Sequence, residues 1–503
     1  MRGLQPRQMH GETSVEIEGI AYNSRQVETG FVFVAIRGQD VDGHDYIEEA
    51  IKRGARAVVL EDENQRIGGI PTVLVENSRK ALGGISTVFF GNPSAEMTLI
   101  GITGTNGKTT TTYLTESILK GAGFRTGVIG TIDYHFQGTF RRATTTTPES
   151  YDLQKMLKEM LEQGVSHVIM EVSSHALHQH RTEGCHFDIG VFTNLTPDHL
   201  DYHGTMDHYF ESKASLFTRF LRQSMKPHSL ALINLDDPKG RVLWKMLPLP
   251  KMSYGLEGER HISAKDIHAS ISGLSAKVIT PNGGFSFRSP LLGEFNLYNI
   301  LASAGIGLAL KVDLEAMRSG IEALGGVPGR VERIQNDRQV HIFVDYAHTP
   351  DALERILRTL KDAKGGGRII TVFGCGGDRD RGKRPLMGAI AGRYSDFAVI
   401  TSDNPRTEHP TAIIEEIERG MMTESIPAMD RKELTRGFGE KGYVKVLERR
   451  EGIRLAIELA KAGDVVLVAG KGHEDYQIIG RERFPFDDRH EISEALKKNQ
   501  DEK

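Results

Sequence analysis

An α/β fold built from several parallel-sheet domains is predicted by three observations. Short β-rich apolar runs alternate with helical patterns along most of the chain, the rhythm of strand–helix–strand crossovers. A glycine-rich turn, Gly104-Thr105-Asn106-Gly107-Lys108, stands between the strand-like LIGIT and the helical TTYLTESILKGAG. The length, 503 residues, is more than three times the roughly 150-residue expectation for one domain.

The strand-like runs are 32–38, 56–62, 99–104, 167–174, 188–194, 229–236, 341–348, 368–374, 397–403 and 464–470. Helices are expected at 109–121, 151–163, 207–221, 296–311, 350–362, 384–394, 411–421 and 451–462. Two Gly/Pro-rich breaks, GNPSAEM at 91–97 and GGVPGR at 325–330, suggest divisions near 97 and 328, hence domains of 1–97, 98–327 and 328–503. From 251 to 295 the pattern changes to short alternating stretches with Gly turns, which read as antiparallel hairpins on the middle domain.

Composition narrows the function classes. Hydrophobic residues at 39% and charged residues at 26% describe an ordinary globular protein. The formal net charge of −4 argues against a general electrostatic grip on nucleic acid or anionic membrane. Only Cys185 and Cys375 are present, so no disulfide framework is expected and a reducing compartment, the cytoplasm, fits best. No 18 apolar residues run together, and MRGLQPRQMH lacks the apolar core of a signal peptide.

The glycine-rich turn carries the clearest chemistry. Between strand and helix it aims backbone N–H groups and the positive helix end at phosphate oxygens; Lys108 reaches the terminal phosphates and Thr109 offers a hydroxyl to Mg²⁺. The spacing departs from G-x-x-x-x-G-K-[ST], because Ile102 stands where that pattern has its first glycine. Glu171 closes the apolar strand HVIM, where a parallel sheet presents a metal ligand or water-orienting group; a turn-capping carboxylate is the plainer reading. His199, in TNLTPDHLDYHG, is compatible with a metal ligand and with a structural role.

GTNGKTT, EVSSHAL, TNLTPDHLDYHG, GEFNLYNILA (293–302), GVPGRVE (326–332), DYAHTPDAL (345–353) and FGCGGDRDRGKRP (373–385) together resemble the Mur ligases, ATP-dependent amide-bond formers of peptidoglycan precursor synthesis. The resemblance covers nearly the whole chain and accounts for the loop spacing. It implies three domains, for UDP, for ATP in a central P-loop ATPase, and for the incoming amino acid in a Rossmann-like carboxyl-terminal domain. Gly104, Thr105, Asn106, Gly107, Lys108, Thr109 and Thr110 would then hold ATP, with Asn296, Arg330, Asp345 and His348 framing it. Thr109, Glu171 and His199 would bind Mg²⁺. Lys213, by composition a solvated helix-face lysine, falls where the family has a lysine carbamylated by CO₂, an anion supporting a second Mg²⁺. Lys108, Lys213, Glu171 and His199 are the implied catalytic set.

Within the family, the details resemble the branch that adds the third residue to UDP-N-acetylmuramoyl-L-alanyl-D-glutamate. Ser24 sits in the uridine-contacting Asp-Ser-Arg, with Asn23 in place of the aspartate. Gln39, Asp40 and Val41 align with the loop over the nucleotide, and Thr146, Thr147, Ser173, Gln179 and Arg181 with positions holding the muramoyl peptide. Asp403-Asn404-Pro405-Arg406 resembles the form that selects meso-2,6-diaminopimelate, whose far carboxylate needs a fixed bidentate cation. By this resemblance Arg406, assisted by Arg379, would supply it, while Gly470 and Glu474 would meet the ammonium end. A cytoplasmic monomer with no nucleic-acid or membrane partner is expected. The alternatives are an L-lysine-adding ligase, a folylpolyglutamate-synthetase-like ligase, which would lack an amino-terminal UDP domain, and a nucleotide-dependent switch.

Overall fold

The computed structural model describes residues 6–12, 14–38, 41–65, 67–432, 434 and 441–501; Gln39 and Asp40 lie outside the described residues. The chain divides into two compact units, one of Met1–Gly104, Gly123–Thr193 and Asp207–Ser253, the other of Thr105–Ala122, Asn194–Met206 and Tyr254–Lys503.

In the first unit, a five-stranded sheet runs in the order Pro6–His10, Thr72–Val75, Ala57–Leu60, Phe31–Val34, Gly19–Ala21. Its last four strands are parallel and Pro6–His10 pairs antiparallel at the edge. Phe33, Val58 and Leu60 face one core and Val34, Val59 and Leu82 another, so these strands are apolar on both sides, as covered parallel strands must be. An eight-stranded sheet follows, ordered Lys251–Tyr254, Leu230–Asn234, Ile189–Phe192, Thr98–Thr103, His167–Glu171, Thr126–Ile129, Asp133–Phe136, Thr139–Arg142. The strand Thr98–Thr103 lies between two parallel partners, Ile189–Phe192 and His167–Glu171. The carboxyl ends of all three therefore point the same way, which is where open α/β sheets bind ligands.

In the second unit, Glu332–Ile334, His341–Asp345, Val465–Ala469, Ile369–Phe373, Phe397–Thr401 and Gly442–Val446 form a six-stranded sheet in that order, parallel apart from its first strand. A three-stranded antiparallel sheet, Ser263–Ser270, Gly273–Thr280 and Gly283–Ser289, lies in the same unit. So does the helix Lys108–Gly121. It is rich in buried threonines, and Thr115 Oγ1 bonds Ser303 Oγ at 3.3 Å while Ser117 Oγ donates to the Gly320 carbonyl at 2.6 Å.

Every strand and helix expected above is present, with three corrections. Lys251–Tyr254 is an edge strand of the eight-stranded sheet rather than part of the hairpins, because it is laid beside Leu230–Asn234. The helix expected at 207–221 is α-helical only over Met206–Ser215 and continues as a π-helical turn, Leu216–Leu221. Short strands at Thr72–Val75, Thr126–Ile129 and Gly442–Val446 were not expected; four or five residues between turns carry no period, and only the neighbouring strands make them strands. Among the described residues, no helix is long and apolar enough to cross a membrane.

Candidate active site

In the second unit the glycine-rich turn is clasped by the segment after Phe192. Asn106 N–H donates to Asn194 Oδ1 at 3.0 Å, and Asn194 Nδ2 returns a bond to the Asn106 carbonyl at 3.1 Å. Thr105 N–H meets the Asn194 carbonyl at 2.9 Å, and its hydroxyl bridges to the Thr196 backbone. Gly107, at φ +89°, caps the helix that begins at Lys108. A Cβ there would stand 2.4 Å from Asn299 Oδ1, so the position must be glycine for two reasons, left-handed backbone and close approach. Lys108 Nζ donates to the Thr105 carbonyl at 2.8 Å. Asn299 is itself held by Asn296, whose amide oxygen accepts from Asn299 Nδ2 at 2.9 Å. Thr109 and Thr110 are buried in the first helical turn.

From Thr109 the unit runs continuously to the carboxyl-terminal sheet. Arg330 Nη2 donates to Thr109 Oγ1 at 3.2 Å, and its guanidinium lies 4.7 Å from the Tyr346 ring centroid. Asp345 ends its strand with both oxygens engaged, accepting from Val331 N–H at 2.7 Å and Ala347 N–H at 2.8 Å. Burial raises its carboxyl above the usual range, against the pull of Arg330. His348 Nδ1 lies 2.8 Å from the Tyr346 carbonyl; burial, then the Lys383 ammonium, hold its imidazole below the usual range. The Asp345 carbonyl accepts from Gly470 N–H at 3.0 Å, and a Cβ on Gly470 would stand 3.0 Å from Asp403 Oδ2. His199, at φ +54°, presents Nε2 3.5 Å from its neighbour Asp198.

Asp403, Asn404 and Glu474 converge on a fully buried lysine, Lys471. Its Nζ donates to Asn404 Oδ1 at 2.9 Å and lies 3.3 Å from Asp403 and 3.8 Å from Glu474. Burial pushes the Asp403 carboxyl up, but Lys471 and Arg449 outweigh it and hold it below the usual range. Glu474 is raised, first by burial and then by Asp403. Arg406 adopts φ +50° and donates from Nη1 to the Gly377 carbonyl at 2.7 Å. Burial and the neighbouring Arg379 lower its affinity for its proton, although a guanidinium stays charged. Arg379 donates to the Asp378 carbonyl, and both arginines approach Gly376. The backbone of Pro405 packs on Gly377.

In the first unit, Glu171 is buried at the end of its strand. Thr131 donates to both its oxygens, from N–H at 2.8 Å and from Oγ1 at 2.9 Å. Thr147 Oγ1 donates to the Glu171 carbonyl at 2.8 Å and accepts from Ser173 N–H at 3.1 Å, while Thr146 meets Thr131 at 3.2 Å. Arg181 reaches the Thr147 carbonyl at 3.1 Å and bonds Gln179 Oε1 at 2.7 Å. Thr146, Thr147, Ser173, Gln179 and Arg181 thus surround the end of the Glu171 strand. Lys213 is 2% exposed, not solvated; its Nζ donates to the Gly104 carbonyl at 2.8 Å and lies 4.6 Å from the Tyr209 ring centroid. Ser24 Oγ bonds Glu49 at 3.2 Å, and Asn23 Oδ1 caps its turn through Arg25 N–H at 3.1 Å, a bond that an aspartate would also accept. Val41 is exposed.

Sequence reasoning missed Thr131, Asn194, Asn299, Tyr346 and Lys471. Asn194, Asn299 and Tyr346 stand inside quoted motifs, TNLTPDHLDYHG, GEFNLYNILA and DYAHTPDAL, and Lys471 follows Gly470, so a signal existed; Thr131 carries none. Among the described residues, no three His, Cys, Asp or Glu side chains cluster as a metal site. Mg²⁺, however, is commonly bound through one or two carboxylates plus substrate phosphates. Taken separately, the Thr109 hydroxyl in the second unit and the Glu171 carboxylate in the first are oxygen donors of that kind.

Three domain models match in tandem: "Mur ligase family, catalytic domain" over residues 16–88, "Mur ligase middle domain" over 102–307, and "Mur ligase, glutamate ligase domain" over 329–472. The UDP-N-acetylmuramoyl-L-alanyl-D-glutamate--2,6-diaminopimelate ligase of Geobacter metallireducens is 50% identical over 497 residues, 99% of this chain and 97% of that protein. The ligase of the same name from Geobacter sulfurreducens is 49% identical over the same shares. A solved structure of a UDP-N-acetylmuramoyl-L-alanyl-D-glutamate--2,6-diaminopimelate ligase superposes with a TM-score of 0.68 at 34% identity, covering 96% of this chain and 95% of that one. Half the residues shared along nearly the entire length, with the three models in order, leave one conclusion: the chain belongs to the Mur ligase family.

Proposed function

We propose that this protein joins meso-2,6-diaminopimelate to UDP-N-acetylmuramoyl-L-alanyl-D-glutamate, with ATP converted to ADP and phosphate. The observation that carries the reading is the continuous path in the second unit, from the glycine-rich loop through Arg330 and Asp345 to the cluster of Asp403, Glu474 and Arg406. Phosphate-binding and amino-acid-binding chemistry on one path is what a ligase needs. A switch protein has no use for the pocket. The names and identities of the relatives support the same reading.

A carboxylate does not acylate an amine in water. In the proposed reaction a carboxylate oxygen of the nucleotide-peptide attacks the γ-phosphorus of ATP, the bond to the β-phosphate oxygen breaks and ADP leaves. The amine of diaminopimelate then attacks the acyl carbon, phosphate departs, and the amine loses a proton. Within the loop from Gly104 to Thr110, the backbone N–H groups that Asn194 does not engage and the helix N-terminus hold the phosphates, and Lys108 exchanges the Thr105 carbonyl for a phosphate oxygen. Asn296, Asp345 and His348 frame the nucleotide, with Arg330 placed by Thr109 and Tyr346. Thr109, Glu171 and His199 would hold Mg²⁺, which would neutralise the transferring charge. Carbamylation of Lys213 would turn a buried cation into an anion; the carbamate keeps one N–H, so the bond to the Gly104 carbonyl survives the change.

Ser24, Gln39, Asp40 and Val41 are assigned to the uridine end, and Thr146, Thr147, Ser173, Gln179 and Arg181 to the peptide end. Domain boundaries near 97 and 328 are supported by the intervals between the matched models. A cytoplasmic monomer completes the proposal. Arg406 and Arg379 favour an amino acid with a far carboxylate over L-lysine, whose side chain ends in a cation. Phosphate release with ATP, Mg²⁺ and UDP-N-acetylmuramoyl-L-alanyl-D-glutamate is the test. It should depend on meso-diaminopimelate and be weak with L-lysine; release indifferent to any amino acid would refute the ligase reading.

A further inference from the structure

Lys471 is 0% exposed, and no step above uses it. An ammonium has three N–H bonds. Two donate, to Asn404 Oδ1 at 2.9 Å and to the Tyr476 carbonyl at 2.8 Å, and the Asp403 carboxylate, 3.3 Å away, takes the remaining charge contact. Fully buried, with two donors bonded and its charge facing Asp403, Lys471 is engaged by protein rather than presented to a substrate. It joins three segments instead: the turn Asp403-Asn404-Pro405-Arg406, the loop from Gly470 to Glu474, and the hairpin of Tyr476–Ile479 and Glu482–Pro485.

That hairpin grips the turn residue by residue. Gln477 Nε2 donates to the Asp403 carbonyl at 2.6 Å and Ile478 N–H to Asn404 Oδ1 at 2.9 Å. Arg406 N–H meets the Ile478 carbonyl at 3.1 Å, and the Arg406 carbonyl accepts from Gly480 N–H at 2.8 Å. Two consequences follow. Asn404 Oδ1 accepts from both Lys471 and Ile478, so the amide cannot flip, and Nδ2 must face Glu474 Oε2, 3.0 Å away. Arg406, whose left-handed backbone is unfavourable for a residue with a Cβ, is held there by its bonds on both sides.

We propose that Lys471 is the positioning residue of the amino-acid pocket, with Gln477 as its second anchor. By locking the Asn404 amide and seating the hairpin, it sets the separation between Glu474 and Arg406. That separation is the span between ammonium and far carboxylate that the pocket accepts. The inference rests on the ligase reading above.

Lys471→Met keeps the apolar stem and removes the donors; Gln477→Ala removes one bond and leaves the buried core intact. KM is measured for meso-diaminopimelate, ATP and the UDP-muramoyl dipeptide, alongside the rate ratio of diaminopimelate to L-lysine and a thermal melt. Lys471→Met should raise the diaminopimelate KM by about 30-fold and Gln477→Ala by about 5-fold, as expected for losing a buried charge contact and a single hydrogen bond. The other two KM values should stay within about 2-fold, and the preference over lysine should fall. An unchanged diaminopimelate KM in a folded variant, or equal losses for all three substrates, would overturn the proposal. If Lys471→Met fails to fold, Gln477→Ala decides alone. Wild-type protein without amino-acid-dependent phosphate release would overturn the ligase reading and this inference with it, whereas active wild type beside unaffected variants overturns the inference alone.

Discussion

Removing the Arg406 guanidinium tests the assignment of one side chain to one substrate group. Among the described residues, its Nη1 bond to the Gly377 carbonyl, 2.7 Å, is the one side-chain hydrogen bond that truncation deletes, at a cost of about 1 kcal/mol of stability. The φ of +50° is as unfavourable for alanine as for arginine, so Arg406→Ala adds no backbone strain. Against a substrate carboxylate, truncating one partner of a buried charge pair costs about 2–5 kcal/mol. Arg406 is half-buried and Arg379 remains beside it, which puts the expectation at the lower end, about 2–3 kcal/mol. At 1.36 kcal/mol per decade this is a loss of about 30- to 160-fold in kcat/KM for meso-diaminopimelate. L-Lysine has no far carboxylate and should lose about 3-fold or less. Phosphate release measured with each amino acid in turn gives both numbers. Arg406→Gly provides the control: glycine tolerates the left-handed backbone, so this variant should melt no lower than Arg406→Ala while showing the same selective loss. Equal losses with both amino acids would mean that Arg406 supports the fold or the phosphate chemistry, and its role in selection would be withdrawn.

Lys213→Ala should slow acyl-phosphate formation by at least about 100-fold, with partial recovery on adding a short-chain carboxylic acid; unimpaired turnover would end the carbamate proposal. Gly107→Ala forces a Cβ to 2.4 Å from Asn299 Oδ1 at φ +89°, and ATP affinity measured by titration calorimetry should fall by about tenfold. An unchanged Kd would show that the loop tolerates displacement. The third expectation concerns pH: burial, with the Phe124 ring 4.2 Å away, holds the His167 imidazole down at about 4 from its ordinary 6.5. The unfolded chain therefore binds the proton first as pH falls. This contribution to stability is complete above pH 6.5 and is lost progressively toward about pH 4. Melts of His167→Gln should be flatter across that window, and an identical pH profile would show that His167 does not titrate as described.

The sequence by itself determined the strand–helix alternation, because continuous apolar runs such as LIGIT and VVLVA can be buried only as covered parallel strands. It also located the glycine-rich turn after Thr98–Thr103 and the segment Asp403 to Arg406, since both are contiguous and each follows a strand. Lys213 read as a surface lysine until a family motif was brought to it, and the structure buries it against Gly104, 109 residues away. Short strands such as Thr72–Val75 and Thr126–Ile129 escaped notice because their conformation is supplied by neighbouring strands rather than by their own period. Only tertiary structure decided that Thr131 orients Glu171, that Arg330 joins Thr109, and that Lys471 reaches back to Asp403 and Asn404. The physical reason is common to all of these. A hydrogen bond or ion pair between residues tens or hundreds of positions apart leaves no periodicity in either segment, so chemistry that depends on such pairs exists only once the chain has folded.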